Sequence, residues 1–365
     1  FYPYRVGRWL DGDPAEPPPP PGHGTIRNAG WRHLDAFDIL AMPDPWEYPW
    51  FAAWDLAFHA IAWAHLDPAF AKYQLIVLLR EWFQHPNGAL PAYEWNFDDV
   101  NPPVHAFAAL HVFQVDGATD TQFLERVFGK LLLNFTWWLN REDPDGRNVF
   151  GGGFLGLDNI SPIDRSSLPP GIRLAQADGT AWMAFYSLAM LVLAARLAQD
   201  DPVYDDMVVK FAEQYLLIID AIDDAGMYDA ADGWFYDQLF DASGARTPIE
   251  VQTLVGAIPV LPAVTLSASQ VSALERLRHR FARMADKGLD ATGRADRHLR
   301  HSSEGTMLSV VDPDELRRTL RTLFDVEAFL SPHGLRSLSK TFTTPYQVPG
   351  IPGATIDYEP AESTT

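Results

Sequence analysis

The chain has 365 residues, enough to bury one large core or two ordinary ones, and its 47% hydrophobic and 21% charged content excludes a disordered polymer over most of its length. Its net charge of -20 argues against nucleic acid as a partner, because phosphate binding needs clustered Lys and Arg, and it disfavours an anionic membrane surface for the same reason. With no cysteine there is neither a disulfide framework nor a thiolate metal site, while 12 Trp, 12 Tyr and 22 Phe form a surplus of flat rings able to fill a core and stack on a ligand face.

The chain opens at Phe1 with no charged n-region and no apolar h-region, so it reads as a fragment without a signal peptide, and a cytoplasmic location is expected. The segment PAEPPPPPGHG, between Asp11 and Gly24, forbids helix and favours an extended linker. Residues 1–30 are therefore read as an N-terminal segment and linker, and 31–365 as the body.

From there apolar periodicity near 3.6 predicts helices over 50–66, 68–84, 103–114, 119–141, 179–198, 202–223, 251–261, 269–287 and 313–324. Asp67-Pro68, Asp201-Pro202 and Asp312-Pro313 mark three of the starts, each an Asp able to accept orphan amides ahead of a first-turn Pro. Strand signals are sparse, with short candidates at 234–239 and 334–338, so the class is all-α. The longest apolar runs, such as 188–197, stop after about ten residues, short of the roughly 20 that span a bilayer, and no membrane-crossing helix is expected. Long loops rich in Gly, Pro, Asn and aromatics, at 41–49, 85–103, 143–179 and 224–250, separate the helices, a pattern that suits helical hairpins with a site built from their connections.

Four segments carry candidate chemistry. In MPDPWEYPWFAAWDLAFH, Asp55 and His59 lie four apart on one predicted helix face with Trp54 one step away; the same residues also fit a packed helix in which Asp55 merely pairs with His59. In HPNGALPAYEWNFDDVNPPVHA, Glu94, Asp98 and Asp99 lie among Tyr93, Trp95 and Phe97, followed by Asn101 and two prolines. Carboxylates and amides beside flat rings on a stiff backbone are what a sugar site needs, although a connector with water-facing acids reads the same way. In VFGGGFLGLDNISPIDRS the glycine run lacks the Gly-Lys-Ser/Thr ending of a phosphate loop. A carboxyl at Asp158 held against Phe154 and Leu157 would be partly desolvated, which suits a general acid, while spacing alone favours a turn residue. In QADGTAWMAFY, Asp178 looks like a helix cap, Gln176 precedes the helix within reach of a pocket, and Trp182 fits core packing as well as a ligand wall.

Taken in order, WDLAFH, PAYEWNFDDVNPPVHA, LLLNFTWWLNRED, GGFLGLDN, DGTAWMA and FLSPHGLRSLS resemble glycoside hydrolase family 63, in particular its large bacterial members, which are similar to processing α-glucosidase and to mannosylglycerate and glucosylglycerate hydrolases. The resemblance implies an (α/α)6 barrel of helical hairpins with the site at one mouth and an inverting attack on an α-linked sugar. It implies Asp158, the Asp of the Gly-Leu-Asp motif, as general acid, and Trp54, Asp55, His59, Glu94, Trp95, Asn101, Gln176 and Trp182 as substrate contacts. The family's general base is a Glu preceded by Trp-Arg-Gly and Asn-Tyr segments that have no match up to Thr365, so the barrel is expected to be incomplete at the C-terminus and the fragment alone nearly inactive. Inversion needs two carboxyl groups roughly 6.5 to 9.5 Å apart.

The expected substrate is an α-glucoside or a glycosylglycerate-like sugar, and no cofactor or metal is required, because protonation and water attack need only carboxyl groups. Two rivals are a sugar epimerase working through His59 and His105, and a non-catalytic carbohydrate-binding or scaffold module. Oligomeric state is not legible.

Overall fold

A computed structural model describes residues 2–15, 28–42, 52–92, 96–97, 99–141, 143, 145–152, 162–165, 167–268, 270–271, 295–303 and 305–360. It divides into two compact units, Phe1–Arg141 and Glu142–Thr365.

In the first unit, β1 (Tyr2–Arg5) runs directly into α1 (Val6–Asp11), which ends at Gly12 with φ 69, a left-handed turn that glycine adopts without steric cost. β1 pairs antiparallel with β2 (Asp35–Asp38), placing Tyr4 opposite Ala36. Tyr4 and Val6 are thereby buried in one core with Trp31, Leu34, Leu56 and Phe83. Most of the proline-rich stretch between the two strands lies outside the described residues.

Four longer helices follow: α2 (Ala53–Ala64), α3 (Pro68–Val77), α4 (His105–Val115) and α5 (Thr121–Arg141). Buried Ala53, Ala57, Ala60 and Ala64 give α2 a low profile on which α3 and α4 pack closely. The cap expected at Asp67 is present, its carboxylate accepting the Phe70 N–H at 3.0 Å ahead of Pro68. α3 is shorter than its apolar pattern suggests, because the chain turns at Leu78 and continues as a series of tight turns to Gln84.

In the second unit, α6 (Ala177–Leu197) packs along α7 (Asp205–Ala225), which a short 3-10 turn capped by Asp201 introduces. α6 is long and apolar enough to cross a membrane by length and composition, which corrects the expectation drawn from uninterrupted runs. Within the fold, 83% of its apolar window is buried, so it serves as a core helix. Thr180 and Ser187 interrupt its apolar run, yet Ser187 turns its hydroxyl inward onto the Met183 carbonyl at 2.8 Å.

This unit also departs from an all-helical chain. It contains β3 (Arg173–Ala175), β4 (Tyr228–Asp229), β5 (Trp234–Phe235), β6 (Asp237–Phe240), β7 (Arg246–Ile249), β8 (Ala263–Leu266), β9 (Leu299–Ser302) and β10 (Gly305–Ser309), followed by shorter pairs. The sheets run in the orders β3-β6-β7, β4-β5 and β8-β10-β9, all antiparallel. The stretch 224–250, read as a loop with a strand candidate at 234–239, is thus two strand pairs with glycine turns at Gly233 and Gly244, and the candidate covers β5 and most of β6. Strands of two to five residues are too short to show a full period of two, so their pairing in hairpins, more than their pattern, fixes their bounds.

The helix expected over 251–261 is a 3-10 stretch, Leu254–Val260, because Pro259 can neither donate to the preceding turn nor fit an α-helical interior. The helix expected over 269–287 lies almost wholly outside the described residues. α8 (Pro313–Leu323) starts with a full capping box: Asp312 accepts the Asp314 and Glu315 amides at 2.7 and 2.9 Å, and Glu315 accepts the Asp312 amide at 2.8 Å.

Candidate functional site

Within the first unit, the helical spacing of the WDLAFH segment places Trp54, Asp55 and His59 at partly exposed positions of α2, while Leu56, Ala57 and Ala60 turn into the core. Burial raises the Asp55 carboxyl above its usual value, and the nearby His59 charge opposes that rise. Asn101, on the approach to α4, accepts the Trp54 amide at 3.4 Å, which joins the second motif to the first turn of α2. The Asn101 Nδ2 is buried with no partner among the described residues, a donor available to an added acceptor. Glu94 and Trp95, with Tyr93 and Asp98, lie outside the described residues. Asp99 is buried and accepts the Val100 amide at 2.8 Å.

His105 does not share the partial exposure of His59. It is buried on α4, donating Nε2–H to the Leu75 carbonyl at 2.8 Å, and burial lowers its pKa to about 4. An imidazole held this way stays neutral near pH 7, which weighs against a paired-histidine mechanism.

In the second unit, the site is organised on the first turn of α6. Gln176 is buried at the N-cap position, donates Nε2–H to the Gly152 carbonyl at 2.7 Å and leaves its Oε1 without a partner among the described residues. Asp178 stands inside the first turn of α6, after the N-cap position of Gln176, and its Oδ1 accepts the Gly179 amide at 2.8 Å. Its carboxylate is the two-pronged partner of Arg165, with side-chain exposures of 0% and 1%. Asp237 at the start of β6 also serves the helix start, since its Oδ1 accepts the Ala177 amide at 2.8 Å while Oδ2 lies 3.8 Å from the same guanidinium. Burial, reinforced by the Asp178 charge, pushes the Asp237 carboxyl up to about 6, against the pull of Arg165 and the Ala177 amide.

Asp237 and Arg165 line a cleft of about 390 Å3, counted to its open mouth, with Pro162, Tyr236, Thr253 and Gly256 among its walls. Tyr236 donates its hydroxyl to Asp232 at 2.8 Å and burial raises its pKa, so it stays neutral. A carboxyl that titrates near 6 beside a buried cation, on apolar walls, can exchange hydrogen bonds with a neutral polyhydroxylated ligand. Trp182 is buried on α6, edge-on to Phe185 with centroids 5.6 Å apart, as the packing alternative describes. Asp158, Asn159 and the rest of 153–161 lie outside the described residues. Among the described residues, no three His, Asp or Glu side chains converge on a metal position.

Sequence reading missed Asp237 and Arg165. Arg165 stands in the glycine-run segment already singled out, and a lone Arg among apolar and acidic neighbours was the available signal. Asp237 carried none, because its neighbours in space lie about 60 residues away in sequence.

Comparison with known proteins places these motifs. The mannosylglycerate hydrolase MGH1-like glycoside hydrolase domain matches residues 48–153. The uncharacterized protein YMR196W of Saccharomyces cerevisiae is 45% identical over 93% of this chain, and the chain spans about a third (33%) of that relative's length. Among solved structures, the family 63 mannosylglycerate hydrolase of Thermus thermophilus in complex with glucose aligns at TM-score 0.50 and 20% identity, covering 67% of this chain and 72% of that one. The same hydrolase in complex with Tris and D-glycerate gives TM-score 0.51 at 19% identity over 68% and 74%. At such identities the likeness concerns the fold. In motif order, in the domain match over 48–153 and in fold, the chain resembles glycoside hydrolase family 63.

Proposed function

We propose that the chain is part of a glycoside hydrolase that cleaves an α-linked glucoside or glycosylglycerate-like sugar with inversion, on a barrel of six helical hairpins that it covers incompletely. The observation that carries this reading is the glycoside hydrolase domain match over 48–153, which takes in Trp54, Asp55, His59, Glu94, Trp95 and Asn101 together. Asp158 protonates the leaving oxygen, and a Glu outside this chain deprotonates the attacking water. Asp55, Asn101 and Gln176 hold sugar hydroxyls, and the neighbouring rings cover the apolar sugar face. The half-buried, raised carboxyl of Asp55 and the unpartnered amide atoms of Asn101 and Gln176 support that division of labour. The buried, carbonyl-bonded His105 argues against the epimerase reading.

The test uses the full-length protein and α-linked glucose and mannose conjugates, followed by proton NMR. A β-anomer appearing first is the expected result, and a first-formed α-anomer overturns inversion. Asp158→Asn should lower kcat at least about a hundredfold. Tight sugar binding without turnover by the full-length parent would establish the binding-module reading instead.

A further inference from the structure

The cleft of the second unit gathers three charges of which only two cancel. Arg165 gives both terminal nitrogens to the Asp178 carboxylate, one contact being 3.1 Å and the other shorter, with side-chain exposures of 1% and 0%. Asp237 brings a second carboxylate to the same guanidinium, but only its Oδ1 is engaged, by the Ala177 amide at 2.8 Å. Its Oδ2 stands 3.8 Å from Arg165, beyond hydrogen-bond reach, and Asp237 lines the cleft. Thr253, 3% exposed, lines the same cleft, and no hydrogen bond engages its hydroxyl among the described residues. The neighbouring Tyr236 hydroxyl is already committed to Asp232 at 2.8 Å.

We propose that Asp237 and Thr253 form a subsite for an uncharged, hydroxyl-donating group, a vicinal diol of a sugar ring or of a polyol aglycone, and that this subsite rejects a carboxylate. The inference deepens the glycosidase reading and rests on it only for the ligand being a sugar or a sugar conjugate. One guanidinium against two carboxylates leaves one negative charge in excess. A hydroxyl donating to Asp237 Oδ2 relieves that excess, whereas a ligand carboxylate meets like charge where water is scarce. The Arg165 fork offers such a carboxylate no compensation, because Asp178 already fills it. Thr253 supplies a hydroxyl that donates or accepts as a neutral partner requires. To its open mouth the cleft measures about 390 Å3, near the lower bound of the roughly 300–1,000 Å3 of small-molecule sites, which is room for one sugar or polyol unit. Of the two substrate classes proposed above, the cleft selects a neutral glucoside over a glycosylglycerate whose acid would enter here.

Ligand-observed proton NMR titrations of the full-length protein compare two pairs of probes that differ by a carboxylate: glucose with glucuronate for the sugar ring, and glycerol with glycerate for the aglycone. In the parent, the neutral member of at least one pair should bind about tenfold or more tightly than its acid, and the pair that shows it identifies which part of the substrate enters. Asp237→Asn, which retains an oxygen for the Ala177 amide, should reduce that ratio to about threefold or less. Thr253→Val, which removes the hydroxyl and keeps the shape, should weaken the neutral member by about threefold or more, and it carries the test if Asp237→Asn fails to fold. No binding of either neutral probe, an acid bound as tightly as its neutral partner in both pairs, or a ratio that Asp237→Asn leaves unchanged overturns the subsite, as does an unchanged affinity in Thr253→Val. Turnover of α-glucosylglycerol and α-glucosylglycerate is read separately. A parent that turns over neither, nor any other α-linked conjugate, sinks the glycosidase reading, while the titrations still decide the subsite.

Discussion

Replacing Asp237 by Asn should make the protein more stable at neutral pH, although it deletes half of an ion pair. Burial and the Asp178 charge raise the Asp237 carboxyl from 3.8 to about 6, so the folded state holds its proton more tightly than the unfolded chain. Between those two values the native protein binds more protons, and stability therefore falls as pH rises from about 4 to about 6. Above that range the full cost of the ionised form is present. At about 1.4 kcal/mol per pKa unit, the shift corresponds to up to about 3 kcal/mol, and the 17% exposure of the side chain leaves little of it to solvent screening. Asn retains the oxygen that caps the Ala177 amide and has no charge to desolvate. Urea unfolding followed by tryptophan fluorescence, at pH 4 and pH 7.5, reads the difference. The variant should gain up to about 3 kcal/mol at pH 7.5 relative to its effect at pH 4. Equal effects at the two values, or a loss confined to pH 7.5, would refute the assignment of burial as the dominant cause.

His105, lowered to about 4 by burial, binds fewer protons folded than unfolded, so the stability it supports is full above about pH 6.5 and is lost as pH falls toward 4. Nitrogen-15 NMR of its ring should report the Nε2–H tautomer throughout the neutral range, and an imidazolium signal at pH 6 would contradict the burial described. Gly256→Ala places a Cβ 2.1 Å from Trp234 Nε1 and 2.6 Å from the Phe235 carbonyl, an overlap that backbone and indole cannot both escape. It should cost about 2 kcal/mol or more in thermal unfolding, and a neutral result would mean that the Leu254–Val260 turn shifts freely. Asp312→Ala removes both acceptor bonds of the α8 capping box and should lower stability by about 1 kcal/mol, with Asp312→Ser recovering most of it.

What the sequence determined by itself is the part that depends on near neighbours. The Asp-Pro starts at 67, 201 and 312 all accept helix amides, because an N-cap needs only the next two or three residues. Helices α5 and α6 follow their apolar periodicity to within about two residues, and the order of motifs was enough to find the family resemblance. Gln176 was legible as the residue that immediately precedes a strong helix start, and it stands at the N-cap position of α6. Tertiary structure decided the rest. Short strands such as β4 and β5 exist only through their partners, and Pro259 changes an apolar pattern from α to 3-10. Asp178 reads locally as a cap and accepts the Gly179 amide, yet its carboxylate is also the partner of Arg165, 13 residues earlier, and Asp237, from a strand about 60 residues later, accepts the Ala177 amide. A cap from the residue just before a helix is decided within one turn, whereas a cap or an ion pair supplied by a distant strand is decided by which chains exclude water from it, and no local spacing records that.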